Sequence, residues 1–229
     1  MKTCLYFCLL AAVLLSSCAG MHRERQPQML EISAAERLPA SCLRAFPEGQ
    51  WQLVHAITFR MNSGAEGHTL GVLVLGDEEI RCALMPMEGL PLFEARSLGE
   101  TALEVSRALP PFDNQEFAVG LMEDVRTLFR RPAGTVQYGK IATGEPVCRF
   151  TSDDGRVTDV LSGEDGCWRI ITYIDTVTTR IITTQDCTSE AGTSLAGFLT
   201  LTALGTNGYT LSMELVGAKP IAQPLVSSP

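Results

Sequence analysis

What limits this chain most is a hydrophobic alternation of period two that recurs in short runs and is broken by a single long helical pattern. Trp51, Leu53, Ile57, Phe59 and Met61 fall on one face of a strand, with Gln52, Thr58 and Arg60 on the other. Asn62-Ser63-Gly64 then turns the chain into a second strand over 68–76, and Asp77-Glu78 into a third over 79–86. A fourth and a fifth follow over 91–97 and 101–107, separated by Leu98-Gly99-Glu100. Strands this close in sequence, joined by turn residues, form a meander of antiparallel hairpins.

After Pro110-Pro111 the period changes. Phe117, Leu121, Val125, Leu128 and Phe129 recur at three- and four-residue spacing, which predicts a helix with one apolar face. Asp113 and Glu116 give its start a capping-box form, Arg130 and Arg131 suit its negative end, and Pro132 stops it. Six more strands are predicted over 146–152, 156–162, 166–174, 178–184, 195–203 and 208–216, with Asp153-Asp154-Gly155 and Thr206-Asn207-Gly208 as hairpin turns. About eleven strands and one central amphipathic helix therefore make up a mainly β domain over 49–217. Residues 18–48 read as a tether in which Ser33-Ala34-Ala35-Glu36 has the form of a helix start, and 218–229 as a proline-rich tail.

The N-terminus carries a different signal. One positive charge, Lys2, precedes twelve apolar residues from Cys4 to Leu15, and the stretch closes on Leu15-Ser16-Ser17-Cys18. Twelve helical residues cover about 18 Å, short of the roughly 30 Å hydrocarbon core, so residues 1–17 read as a cleaved signal peptide rather than a spanning helix. Small residues followed directly by cysteine resemble the lipobox of bacterial lipoproteins. That resemblance implies a thioether-linked diacylglyceryl group on Cys18 and acylation, such as palmitate, of its freed amine. Two or three chains make a stable anchor where one is reversible. Ala19 lacks the acidic character that retains enteric lipoproteins at the inner membrane, so the resemblance places the chain on the periplasmic face of the outer membrane.

Net charge is −8, and one unit more negative once Lys2 leaves with the signal. So acidic a chain has no electrostatic footprint for nucleic acid, and contact with anionic lipid must come through the anchor or through apolar surface. Beyond Cys18, the cysteines are Cys42, Cys82, Cys148, Cys167 and Cys187; an odd number leaves at least one thiol free or intermolecular. The favoured disulfide is Cys148 with Cys167, on strands read as neighbours, against the alternative that all five are small buried hydrophobes. No two have metal-binding spacing and the three histidines lie far apart, so no metal site or cofactor is indicated.

The order of these elements resembles the LolA/LolB superfamily. So do the stretches Met87-Glu88-Gly89-Leu90-Pro91-Leu92-Phe93-Glu94, Leu109-Pro110-Pro111 and Asp124-Val125-Arg126-Thr127-Leu128-Phe129, which look like those of an uncharacterised lipoprotein branch near it. The resemblance covers roughly residues 50–217. It implies a curved antiparallel sheet, an incomplete β-barrel, with the helix across its concave face. It further implies an apolar cavity that takes the acyl chains of a lipid or a lipoprotein in transit, without catalysis. Candidate lining residues are Leu53, Ile57, Phe59, Val72, Val74, Leu84, Met85, Leu92, Phe93, Phe117, Leu121 and Val125, with Met85, Met87, Leu90, Leu92 and Phe93 as an adaptable rim. Receptors of this type insert an exposed apolar loop into the membrane, and Leu90–Leu92 is the candidate here.

Apolar residues on both faces of the second to fourth strands have a second explanation, a core filled on one side and a partner on the other. The alternative function is accordingly a structural or assembly lipoprotein docked on an outer-membrane machine. A hydrolase would need histidines or carboxylate pairs to converge. His55 lies in register with the apolar face of the first strand, as a core histidine does, and His68 opens the second; no catalytic signature accompanies either. Asp153-Asp154 and Glu164-Asp165 read as hairpin turns rather than a calcium site.

Overall fold

The computed structural model describes residues 25–32, 40–99, 102–163, 165–190 and 193–221. Cys18, the segment at Ser33 and the chain from 222 lie outside the described residues. Thirteen strands are described: β1 Met29–Glu31, β2 Trp51–Met61, β3 Glu66–Leu75, β4 Glu79–Met85, β5 Phe93–Leu98, β6 Ala102–Ala108, β7 Thr135–Ile141, β8 Pro146–Thr151, β9 Val157–Ser162, β10 Trp168–Ile174, β11 Val177–Glu190, β12 Thr193–Ala203 and β13 Tyr209–Pro220. One α-helix, α1 Gln115–Phe129, separates β6 from β7, and a 3-10 helix covers Ala40–Ala45.

All thirteen strands join one antiparallel sheet in the order β1-β7-β8-β9-β10-β11-β12-β13-β2-β3-β4-β5-β6, curved but not closed. The two predicted strand blocks meet where the last strand pairs with the first block's first strand, Tyr209 opposite Met61 through to Pro220 opposite Trp51, with a bulge between Leu215 and Gly217. That pairing carries β13 four residues beyond 216, so most of what the pattern reads as the start of a tail is ladder, and Ile221 N donates to Gln50 O.

Two strands beyond the expected eleven are β7 and β1. β7 holds only two inward apolar residues, Val136 and Tyr138, before Gly139 breaks the alternation. Gly139 is what lets β1 lie alongside, because a Cβ there would meet Leu30 O at 2.6 Å. The chain from Arg25 to Glu31 is thus bound to the sheet rather than free as a tether. Arg25 bridges Val177, Gln26 N donates to Thr176 O, and Met29 packs over a small convex-face core of Ile141, Val147 and Leu161. Beside that core Arg149 and Asp159, paired across β8 and β9, make a two-pronged ion pair at 2.7 Å, and Arg149 also donates to Pro27 O.

The main core lies on the concave face. The side chains of Leu53, Leu73, Leu75, Ile80, Cys82, Leu84, Phe93 and Ala95 point inward from β2 to β5, and α1 covers them with Met122, Val125, Leu128 and Phe129. Cys42, Ala45 and Phe46, in and just after the 3-10 helix, fill the concave face near β8, β9 and β12. The helix starts one residue later than its capping pattern suggests. Asn114, not Asp113, is the cap, its side chain accepting from Glu116 N at 2.8 Å.

Candidate functional site

Between α1 and strands β2–β4 and β13 the concave face is packed almost to closure. The remaining void is about 40 Å³, bordered by His55, Ile57, Leu73, Leu84, Leu121, Val125 and Met213 among others, which is space for roughly two or three waters. Of the candidate lining residues, Leu53, Ile57, Leu84, Leu92, Phe93, Phe117, Leu121 and Val125 do converge on this core, with the Phe93 and Phe117 rings edge to face at 5.6 Å. Phe59 lies on the same strand face, its ring over Gly67. Strand alternation puts the side chains of Val72, Val74 and Met85 on the convex face, opposite Val54, Gln52 and Leu70, though Val72 still borders the void. Apolar residues on both faces therefore mark a core on one side and a half-buried convex patch on the other.

A larger space opens on the far side of α1. A groove of about 830 Å³ runs between the helix face bearing Val119, Glu123, Arg126 and Arg130 and a cross-strand row formed by Phe150, Thr158 and Thr172. Asp77, Glu78 and Gly99, from the β3–β4 and β5–β6 turns, close one end. Strands far apart in the sheet order share this one groove, which is the direct consequence of the curvature.

Polar contacts fix how α1 sits. Asp124 is 3 % exposed on the helix's sheet-facing side, accepting from the Tyr209 hydroxyl and, at 2.9 Å, from Arg180 Nε. Burial pushes the Asp124 carboxyl up, against the opposing pull of Tyr209 and Arg180. Glu123, one residue back, takes Arg156 at 2.9 Å and lies 3.5 Å from Arg180. At the other end Arg130 donates to the carbonyls of Gly76 and Glu79, and Arg126 to Ser97 Oγ. Asp124 was detectable in the sequence as a carboxylate interrupting an apolar helical stripe; Tyr209 and Arg180 carry no such mark, because only the fold brings them to the helix.

The cysteines pair otherwise than expected. Cys42 joins Cys148 and Cys167 joins Cys187, with Cα separations of 6.1 and 5.3 Å, and Cys82 is left as a buried thiol pushed up to about 12 by burial. Cys148 cannot reach Cys167 because β9 lies between β8 and β10, and two strand spacings, roughly 10 Å, exceed the ~7 Å limit for a bridge.

His55 and His68 do not converge. His55 is buried against Phe129, and burial lowers it to about 4, whereas His68 is exposed on the opposite face with Nδ1 3.0 Å from Thr58 Oγ1. Asp154 is engaged in its turn by Ser152, Arg156 N and Arg156's guanidinium, and no cluster of metal-ligating side chains occurs among the described residues. In the β4–β5 connection Met87 and Leu90 are 77 % and 74 % exposed, while Leu92 turns inward.

Among solved structures, this open antiparallel half-barrel with one helix across its hollow is similar in fold to a LolA superfamily protein from Nitrosomonas europaea, with a TM-score of 0.57 and 13 % identity, covering 81 % of this chain and 94 % of that one. Looser likenesses are a lipoprotein-sorting protein domain from Vibrio parahaemolyticus (TM-score 0.45, 8 % identity, 78 % of this chain and 88 % of that one) and a DUF1329 family protein from Desulfovibrio piger (0.44, 8 %, 82 % and 90 %). No family model and no curated protein matches the chain by sequence.

Proposed function

We propose that this protein is a lipoprotein of the outer membrane's periplasmic face, anchored through Cys18, that binds an acyl chain of a lipid or of another lipoprotein along its concave face without covalent chemistry. The observation that carries this reading is how the concave face is closed. Its apolar lining from β2 to β5 is covered by α1 through side chains alone, with an open groove beside the helix. The side chains of Phe117, Leu121 and Val125 occupy the space an acyl chain would take, and burying aliphatic surface favours either occupant at about 25 cal/mol per Å². Met87 and Leu90, both exposed in the β4–β5 loop, are suited to enter a membrane surface and deliver or receive the chain.

One observation favours the other reading, an assembly lipoprotein with a filled core: the void under α1 holds only about 40 Å³. Uptake of cis-parinaric acid by the full chain in maltoside detergent distinguishes them. A binding protein gives a saturable rise in fluorescence that palmitate reverses. A filled core gives the same signal as detergent alone.

A further inference from the structure

We infer that the groove beside α1 is a binding site for a phosphate-type oxyanion, held by Arg126 and Arg131 from the helix side and by Thr172 from the sheet. In its lipid form, with the phosphate as an acyl lipid's head group, this rests on the acyl-chain reading above; the oxyanion site itself does not.

The charges lining the groove are four arginines, Arg126, Arg130, Arg131 and Arg156, and four carboxylates, Asp77, Glu78, Glu123 and Asp154. Glu123 and Asp154 are taken by Arg156, Glu123 also by Arg180, and Asp77 acts on Arg130. Arg126 and Arg131 have no carboxylate within 4 Å among the described residues, and Glu78 is exposed on the end turn. The Arg131 guanidinium carbon lies over the Phe150 ring, 5.7 Å from its centroid, a cation–π contact that occupies none of its N–H donors.

Two polar atoms in the groove wall are buried without any partner: Arg126 Nε, and Oγ1 of Thr172, a residue 3 % exposed. A buried unsatisfied donor costs about 1–3 kcal/mol, and the two stand on opposite walls of one groove. A single acceptor-rich group between them satisfies both. Arginine rather than lysine fits a tetrahedral oxyanion, since its planar fork gives paired N–H donors. Complementing the helix's negative end explains the sign of charge at Arg130 and Arg131. It does not explain an unpaired Nε one turn earlier or an unpaired hydroxyl on β10. A volume of about 830 Å³ lies within the range of roughly 300–1,000 Å³ typical of small-molecule pockets.

The test is calorimetric titration of the full chain in dodecyl maltoside with glycerol 3-phosphate, dihexanoyl phosphatidic acid and dihexanoylglycerol. The wild type binds both phosphate compounds, and the combined Arg126→Gln and Arg131→Gln variant binds them at least tenfold more weakly. Thr172→Val, nearly isosteric, weakens both at least threefold and guards against a misfolded double variant. A phosphatidic acid affinity at least tenfold above that of glycerol 3-phosphate identifies a lipid head group; equal affinities identify a soluble phosphate ester. Absence of phosphate binding by the wild type, or affinities unchanged in both variants, overturns the site. Because dihexanoylglycerol carries no phosphate, its uptake reports on the acyl-chain reading separately.

Discussion

His55 is the residue whose chemistry the fold changes most legibly. It sits on the concave face with its ring 5.6 Å from Phe129, and burial lowers it from 6.5 to about 4. Because the folded-state value is below the unfolded one, the unfolded chain binds more protons between those two pH values. The stability contributed by neutral His55 is therefore complete above pH 6.5 and lost as pH falls toward 4, an effect on the order of 3 kcal/mol. Asp124, whose carboxyl is pushed up, acts in the opposite sense, so the comparison has to be made against a variant. Urea unfolding from pH 7 to pH 4 is expected to show a steep decline for the wild type and a shallower one for His55→Leu; parallel declines would contradict the assignment. Residue identity in the core was largely readable, since alternation puts Leu53, His55 and Ile57 on one face. At Val74 and Met85 the side chains point to the convex face instead, and an apolar residue there looks no different in sequence from one on a concave face.

At the scale of elements, the point of control is α1. Its apolar stripe packs it down, while Asp124, bound by Tyr209 and Arg180, fixes its register over the sheet. Asp124→Asn keeps a partner for Tyr209 but leaves Arg180 with only Glu123 at 3.5 Å, and is expected to cost about 2 kcal/mol in chemical denaturation. If the helix is the element that yields to an acyl chain, the same variant should also raise the rate of cis-parinarate uptake. Unchanged stability would show the contact to be incidental. The helix and most strands were legible within a few residues because period and turn chemistry agree. β7 and β1 were not: the former is interrupted by Gly139, and the latter is three residues long and exists only because that glycine leaves room for it. Nor does sequence spacing reveal Cys42–Cys148, which ties the 3-10 helix to β8 across 106 residues.

For the whole molecule, the decisive feature is the sheet order, in which the two strand blocks are stitched together by β13 and β2 and their outer ends curl toward one groove. Alternation supplies strands but not their order, so the half-barrel was accessible from sequence only through resemblance, and the arginine groove not at all, since its walls come from β3–β6 turns, α1 and β8–β10. The proposed anchor adds a geometric bound. Six residues lie between Cys18 and Arg25, so the two are at most about 25 Å apart along extended chain, and lipidation of Cys18 would hold the domain close against the membrane. Cys18→Ser is accordingly expected to leave unprocessed precursor or soluble protein in cell fractionation, and a mature-sized product retained in the membrane would refute the lipid anchor. Most direct of all is native mass spectrometry of the full chain purified from a bacterial host, before and after extraction with organic solvent. A binding protein for acyl chains carries extra mass that the solvent removes and whose identity is a fatty acid, phospholipid or lipopeptide. A chain that arrives empty and takes up no added palmitate contradicts the account and leaves a filled core built to dock on a partner.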